Sequence, residues 1–505
     1  MSEEKDSKRI ARNSIILYFR MMFQMAVSLY TVRLVLKQLG DNDYGIYDVA
    51  GGIVTLLIFL NNSLTTCSQR YITFALGTKD KEYLRRAFSM SVNIHFLLAI
   101  LIIILGETIG LWYIFNHLNV PQERINDTVI VYQCSLLAGV LLILSVPYNS
   151  CIIAHEKMTA FASISIMDVT LKLCAALTLF LIPSESRLII YAALMATAAI
   201  ITRTTYGLYC KYTFKEIKYR WEADKKLFHE MLKFAGWSTF GNFSIACNNQ
   251  GLNLVLNYLG GPALNAARAI AFQVQTAVVQ FIASFQTAIN PHITKTYAQG
   301  KKEYLNELIL RSSRLSFMLV IIMIIPLIIE ANGILCIWLD KVPQYSVTFM
   351  RILLCVTMMD AIANPMMVSA AATGNIKKYH LYIGSTLLTV VPLSIIVIYI
   401  FPTHPEYIYI TLLIITIIAQ IIRMRICKEL FDFDNFAFIK GVLSRILLCG
   451  TVAFSLPMFL HYTLSHCIIN TILICFISIM WTLLCIFVLG IRKDERNFII
   501  NKIKK

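Results

Sequence analysis

Long apolar stretches follow one another along almost all of this 505-residue chain. A helix needs about 20 mostly apolar residues to cross the hydrocarbon core of a bilayer, and on that measure about fourteen spans fit the sequence. Their centres lie near residues 25, 57, 100, 140, 172, 200, 248, 278, 326, 360, 390, 416, 454 and 479. The stretches are continuously apolar rather than alternating, which favours helices over a β-barrel. The sequence therefore predicts an all-α integral membrane protein.

Lysine and arginine are concentrated in the N-terminus, in alternate loops and in the C-terminal tail. The other loops hold only about four basic residues, the pattern of the positive-inside rule. These four are Lys37, Arg124, Arg187 and Lys341. We expect both termini in the cytoplasm and an uncleaved first helix. The formal net charge of +16 then reflects membrane topology, and we expect no nucleic-acid partner.

Two short phrases occur twice at nearly the same separation. LVLKQLG at Leu34–Gly40 returns as LVLNYLG at Leu254–Gly260, and the KEYL of Lys81–Leu84 returns at Lys302–Leu305. Both separations are about 220 residues, which indicates a duplicated unit. Because an even number of spans separates the copies, the halves are expected to be parallel repeats with a substrate site between them.

The duplication predicts four segments along the chain. The first is an N-terminal six-helix lobe, residues 1–210, and a cytoplasmic linker with an interfacial amphipathic helix follows at 211–235. A C-terminal six-helix lobe covers 236–428, and two appended helices with a basic tail cover 429–505. The appended helices have no counterpart in the first half.

Polar side chains form stripes on the first two spans of each repeat. By span, they are Arg20, Gln24, Ser28 and Thr31; Asp48, Thr55, Asn62 and Gln69; Asn242, Asn249, Asn253 and Asn257; and Arg268, Gln275 and Gln286. Such residues either join helices by hydrogen bonds or line a wet cavity. We favour a cavity, because joining helices does not require placement at equivalent positions of two repeats. Arg33 lies off the Arg20 face and either lines the cavity or extends toward the membrane boundary.

A positive, amide-rich cavity suits a phosphate-linked saccharide. Guanidinium groups bind phosphate in a bidentate manner, and amides suit sugar hydroxyls. We therefore assign Arg20, Arg268 and Arg33 to an anionic group, and Gln24, Asn62, Gln69, Asn242, Asn249, Asn253 and Gln275 to sugar. A cationic drug would instead favour acidic and aromatic walls.

Acidic residues inside spans have two possible roles. Asp168 and Lys172 are one helical turn apart in the order that favours a local ion pair. They form either a structural pair or part of a cavity or proton relay. Glu330, together with Asp360 and Asn364 one turn apart, is a candidate site for proton or sodium coupling.

Features of an enzyme are missing from the sequence. It has no phosphate-binding glycine-rich loop, and HEKMT at His155–Thr159 departs from the H-E-x-x-H zinc pattern. The thirteen cysteines are scattered without C-x-x-C spacing, so we expect no disulfide, no metal site and no cofactor. A membrane glycan polymerase or ligase would need a sizeable outer loop, and the outer loops are short. We assign no catalytic residue.

Several of these features resemble those of polysaccharide-export flippases. They are the repeat, the arginine-rich entry into span one, the turn Leu39–Gly45 and the segment SQRYITFALG at Ser68–Gly77. The resemblance is to the O-antigen and capsule repeat-unit (Wzx-type) flippases of the multidrug/oligosaccharidyl-lipid/polysaccharide exporter superfamily. It implies a MATE-like fold of fourteen helices, two six-helix lobes and alternating access. In related lipid II flippases, arginines on the first, second and eighth helices face a diphosphate. Arg20 and Arg268 match two of these positions, whereas span two has Asn61, Asn62 and Thr66.

The resemblance also implies a substrate and a location. The expected substrate is undecaprenyl-diphosphate-linked oligosaccharide, moved across the bacterial inner membrane for lipopolysaccharide or capsule synthesis. Membrane lipids, a coupling proton or sodium ion and a glycan polymerase are the other expected partners. A cation-coupled multidrug exporter of the same superfamily is the alternative, with the polymerase or ligase less favoured.

Overall fold

The structure is a computed structural model, and all regular secondary structure in the part it describes is helical. It describes residues 2–57, 61–117, 122–215, 217, 219–221, 224–339, 342–465, 467–492 and 496. The helices are α1 Ser2–Leu57, α2 Asn61–Thr78, α3 Lys81–Leu105, α4 Leu111–His117, α5 Ile125–Ala154, α6 Met158–Thr178, α7 Arg187–Thr213, α8 Lys225–Ala298, α9 Lys302–Ile329, α10 Ala331–Trp338, α11 Ser346–Ala372, α12 Lys377–Leu388, α13 Val390–Ile400, α14 Tyr407–Phe431, α15 Asn435–Phe438, α16 Ser444–Thr463 and α17 Ile468–Cys485.

Within the described residues, 12 helices are long and apolar enough to cross a membrane. The prediction of an all-α, multi-pass membrane protein is confirmed, and the expected number of about fourteen spans is close to this count. The expected span centred near residue 57 is helical on both sides of residues 58–60, which the structure does not describe. The expected span near residue 248 lies within α8. Neither span is among these 12 helices. The span near residue 248 carries a polar stripe, which lowers its mean hydropathy.

The two longest helices each contain a break. In α1, Gly40 has φ +74° and ψ 172°, outside the helical region, so two helical arms meet there. In α8, Arg268 Nη2 donates to the carbonyl oxygen of Asn249 at 2.7 Å. A straight helix would separate these residues by about 28 Å at 1.5 Å per residue. The chain must therefore reverse between them, near the second copy of the LG phrase.

The chain forms two compact units, Met1–Thr239 and Phe240–Lys505. In the first, α5 packs against α2, α3 and α7, and α1 packs along α6. In the second, α11 packs against α9 and α14, while α16 and α17 pack against each other and against α9. The four-segment division at 1–210, 211–235, 236–428 and 429–505 stays a prediction.

Left-handed residues in two pairs of turns reveal the duplication in the backbone. Lys79 (φ 60°) and Gly300 (φ 70°) each lie just before a KEYL phrase. Glu156 (φ 58°) follows α5, and Gly374 (φ 79°) follows α11. Both separations are again about 220 residues. The two units therefore share turn geometry as well as sequence phrases.

Candidate functional site

The predicted stripe on span one lies against α6 in the first unit. The guanidinium carbon of Arg20 lies 4.5 Å from the centre of the Phe161 ring. One turn later, Gln24 Nε2 donates to the carbonyl oxygen of Ser165 at 3.4 Å. Arg20 Nε is buried without a hydrogen-bond partner, and no carboxylate of the described residues forms an ion pair with Arg20. Half of this stripe thus joins two helices, while the Arg20 charge is left uncompensated by an acid.

The other predicted site residues of the first unit differ in their exposure. Arg33 is exposed, as is Asn62, and Gln69 is half-buried. The Asn62 carbonyl accepts a hydrogen bond from Thr66 Oγ1 at 3.1 Å. The side chains of Asp48 and Thr55, also predicted for this stripe, lie outside the described part of the structure.

Asp168 and Lys172 form the ion pair that their spacing favours. Lys172 Nζ lies 2.7 Å from Asp168 Oδ2. Thr202 Oγ1, from α7, donates to the other carboxylate oxygen at 3.0 Å. These contacts hold α6 against α7 and satisfy an acid that would otherwise be costly inside a membrane.

The second unit contains a cavity of about 500 Å³, large enough for a ligand of two or three sugar rings. Helices α8, α11, α12 and α14 supply its walls. Its lining includes five residues assigned to sugar or to ion coupling, Asn242, Asn249, Gln275, Asp360 and Asn364, and also Gln286 of the predicted polar stripe. The structure thus places residues predicted for sugar and residues predicted for ion coupling around one space. Asn253 and Arg268 are not among the lining residues.

Amides dominate the polar lining of this cavity. Gln275 Nε2 donates to Thr357 Oγ1 at 3.1 Å, which ties α8 to α11. Asn248 and Asn364 each have a buried side-chain oxygen with no hydrogen-bond partner among the described residues. Buried unpaired acceptors are unfavourable, so these oxygens are available to hydroxyl or amino donors of a ligand.

The cavity also contains one acidic and one basic side chain. Asp360 on α11 is exposed to the cavity, and Arg423 on α14 lies at its wall, only 8% exposed. Arg423 Nε donates to Tyr379 Oη at 2.8 Å, and its Nη1 donates to Gln420 Oε1. Arg423 and Asp360 interact electrostatically, but they are not joined by an ion pair within 4 Å. The cavity therefore presents two separate charges of opposite sign.

Arg423 and Tyr379 were not predicted as site residues. Arg423 begins a basic stretch near the end of span twelve, which the charge pattern assigned to topology. Gln420, one turn earlier in the same apolar span, is the only local signal that Arg423 faces protein. Its hydrogen-bond partner Tyr379 is 44 residues away in the sequence, and a sequence pattern does not reveal such a contact.

Arg268 and Glu330 are predicted residues of the second unit that do not line the cavity. Arg268 borders the cavity, because the Asn249 carbonyl that it bonds and the Phe272 ring, whose centre is 5.3 Å away, belong to lining residues. It has no ion-pair partner among the described residues. Glu330 is 3% exposed and accepts hydrogen bonds from His461 Nδ1 at 2.7 Å and Thr471 Oγ1 at 3.0 Å. Glu330 is therefore separate from Asp360 and Asn364, with which it was grouped.

The sequence signature of the polysaccharide biosynthesis protein family matches residues 10–297, more than half of the chain. The chain belongs to this family. No curated protein sequence matches this polysaccharide biosynthesis protein. The predicted resemblance to polysaccharide exporters is confirmed at the level of family.

Solved structures with the same fold are transporters of the MATE family and the MOP superfamily. A MATE protein in a bent conformation has a TM-score of 0.72 and 15% identity, covering 88% of this chain and 97% of that one. An outward-facing MATE multidrug resistance transporter of the MOP superfamily has a TM-score of 0.68 and 14% identity, covering 84% and 95%. A MOP superfamily transporter from Pyrococcus furiosus, described by the reverse polarity of its binding pocket, has a TM-score of 0.69 and 14% identity. This match covers 84% of this chain and 95% of that one. The chain therefore has a MATE-like fold, and its 12 candidate spans among the described residues identify a multi-pass membrane protein of the polysaccharide biosynthesis family.

Proposed function

We propose that this polysaccharide biosynthesis protein flips undecaprenyl-diphosphate-linked oligosaccharide repeat units across the bacterial inner membrane. The observation that carries the proposal is the family match over residues 10–297, combined with a transporter fold. Lobes that rock around a central site would expose the glycan on the outer side while the lipid tail stays in the bilayer. The protein makes and breaks no covalent bond in this scheme, and both termini lie in the cytoplasm.

Arg20 and Arg268 are the proposed ligands of the diphosphate, with Arg33 as a third. An arginine inside a membrane costs about 2.5–3.5 kcal/mol on insertion scales. Neither Arg20 nor Arg268 has an acidic partner among the described residues, and each lies beside an aromatic ring. A cation–π contact offsets only about 0.5–2 kcal/mol of that cost. A diphosphate would supply the missing negative charge.

The cavity of the second unit is the proposed site for part of the glycan. Asn242, Asn249 and Gln275 line it, whereas Gln24, Asn62, Gln69 and Asn253 remain proposed sugar ligands that do not line this cavity. Unpaired amide oxygens at Asn248 and Asn364 suit sugar hydroxyls. We keep coupling to a proton or sodium ion as part of the proposal, with Asp360 and Asn364 as its residues. Glu330 and the Asp168–Lys172 pair already have partners in the structure.

A cation-coupled drug exporter is the second candidate. The acidic Asp360 in a cavity with apolar walls favours it, and one of the similar structures is a multidrug resistance transporter. Arg423 at the same cavity argues against a cationic ligand, because its charge would repel one. A deletion strain distinguishes the two functions: the flippase predicts loss of surface glycan, and the drug exporter predicts increased drug sensitivity.

The test of the proposed site replaces Arg20 or Arg268 with alanine. Either change should reduce surface glycan at least tenfold and cause lipid-linked glycan to accumulate, with the protein level unchanged, because the diphosphate loses a charge partner. Arg203→Ala is the matched control, since Arg203 also lies over an aromatic ring in the first unit, 4.1 Å from the centre of Tyr148. Normal surface glycan in both site variants would contradict the assignment.

A further inference from the structure

Glu330 joins the two C-terminal helices to the rest of the second unit. It lies between α9 and α10, and its carboxylate is almost fully buried, with 3% of the side chain exposed. One oxygen accepts from His461 at the end of α16, at 2.7 Å, and the other from Thr471 in α17, at 3.0 Å. Three separate segments of the chain therefore meet at one carboxylate.

The helices meet so closely here that a side chain would not fit. A Cβ atom on Gly333 of α10 would lie 2.4 Å from Thr471 Oγ1 and 2.8 Å from its Cγ2. Only glycine, which has no Cβ atom, allows the two helices to approach this closely at position 333. Close approach of α10 and α17 therefore places the Thr471 hydroxyl beside the Glu330 carboxylate.

A second ionic contact joins the C-terminal helices to α9 near its other end. Arg492, just beyond α17, lies 3.0 Å from Glu307, and these side chains are 38% and 57% exposed. An exposed pair of this kind is weak and readily replaced by water. The buried contact at Glu330 differs, because loss of its donors leaves an unpaired charge out of water. Breaking the Glu330 contact is therefore more costly than breaking the Glu307 contact.

We propose that Glu330, His461 and Thr471 form a C-terminal latch, in which His461 and Thr471 are positioning residues that hold α10 closed against α16 and α17. The latch lies at the end of the unit that the charge pattern assigns to the outer side. Its release frees α10 and the adjoining end of α11, the helix that carries Asp360 into the cavity. The two appended helices, which have no counterpart in the first unit, thereby control one end of the second.

Hydrogen exchange of the full-length protein in lipid nanodiscs tests the latch without any substrate. Glu330→Gln and, separately, His461→Gln should each speed amide exchange in α10 at least tenfold, as expected for local opening. Glu307→Gln is the matched control and should leave α10 unchanged. Equal exchange of α10 in all three variants would overturn the proposal. Because no transport is measured, this result is independent of the proposed flippase function.

A reversible cross-link tests whether the latch must open during transport. Cysteines at positions 333 and 471 would have Cβ atoms near the disulfide spacing of about 3.5–4.5 Å. Oxidised Gly333→Cys/Thr471→Cys should lose export at least tenfold and recover it on reduction. Thr471→Cys alone controls for bridges to the native Cys336 and Cys467, both exposed. Export that is equal in the oxidised and reduced double variant would show a permanently closed contact and overturn the latch.

Discussion

Two residues other than glycine occupy left-handed turns where the other unit has glycine. Lys79 corresponds to Gly300, and Glu156 corresponds to Gly374. A side chain in this conformation costs about 1–2 kcal/mol. Glu156 compensates, because its carboxylate pairs with Arg9 at 2.9 Å and fixes the start of α1. Lys79 is exposed and forms no such ion pair with any described residue.

This difference predicts opposite results for the same substitution. Lys79→Gly should increase the free energy of unfolding by about 0.5–1 kcal/mol, because only conformational strain is relieved. Glu156→Gly relieves the same strain but releases Arg9, so its net gain should be absent or negative. Thermal unfolding of the purified variants in detergent measures both. Equal gains in the two variants would show that the Arg9 contact contributes nothing.

Residue-level prediction from sequence succeeded where the partner is local and failed where it is distant. The Asp168–Lys172 pair is four residues apart, and helical geometry alone places its charges together. Glu330 was recognised as a buried acid, but its partners are 131 and 141 residues away. Their positions depend on how the appended helices pack, which the sequence periodicity does not specify.

At the level of elements, the predicted linker lies within the first unit and runs along α3. Tyr219 Oη donates to Asn93 Oδ1 at 2.9 Å, and the backbone N–H of Arg220 donates to Ser89 Oγ at 3.2 Å. Asp224 pairs with Arg86. Residues 86, 89 and 93 share one face of α3, as positions three, four and seven apart do on a helix. The linker is therefore attached to the first unit along its length.

Asp224 gives this attachment a pH dependence. Its pKa is lowered by the hydrogen bond from the backbone N–H of Leu227 and then by Arg86. A lowered pKa in the folded state means that the contribution is complete above the ordinary aspartate range, near 3.9, and is lost as the pH falls through the folded value. Limited proteolysis of residues 214–224 should therefore accelerate between pH 5 and about pH 3 in the parent protein.

Asp224→Asn should remove this acid-induced change and speed linker cleavage at neutral pH. The matched control is Glu230→Gln, because Glu230 is an exposed acid on α8, which begins directly after Asp224. If the rate of linker cleavage in Asp224→Asn depends on pH as it does in the parent protein, another group causes the pH dependence.

The linker helix also illustrates how far amphipathic periodicity can be trusted. Among the apolar residues at helical spacing in this segment, Leu227, Met231 and Ala235 are buried, whereas Leu232 is 40% exposed. Phe234 is buried as well, and its ring packs edge-on against Tyr71 of α2. The helical period predicted most of the buried face. The buried face includes Phe234 rather than Leu232, because α2 rather than a lipid surface covers this part of the helix.

At the scale of the whole molecule, duplication explains the two units but not the last two helices. Each unit centres on one long helix, α5 or α11, that packs against its neighbours. In each, a side chain from that helix donates to the carbonyl near the end of the preceding long helix: Tyr132 to Gly106 at 2.9 Å, and Arg351 to Ile328 at 2.9 Å. Sequence phrases predicted this common scaffold. The cavity of the second unit arises from side chains that differ between the copies, and repetition alone does not predict it.

Removal of residues 435–505 tests how the second unit depends on its appended helices. The truncation takes away both donors of the buried Glu330 carboxylate, and an unpaired buried charge destabilises a protein by about 3–5 kcal/mol. Glu330→Gln should therefore raise the melting temperature of the truncated chain, although it lowers that of the full-length protein by breaking the contact with His461. The four variants form a double-mutant cycle in which the sign of the Glu330 effect reverses. If Glu330→Gln lowers the melting temperature equally in both backgrounds, the C-terminal helices do not compensate the Glu330 charge.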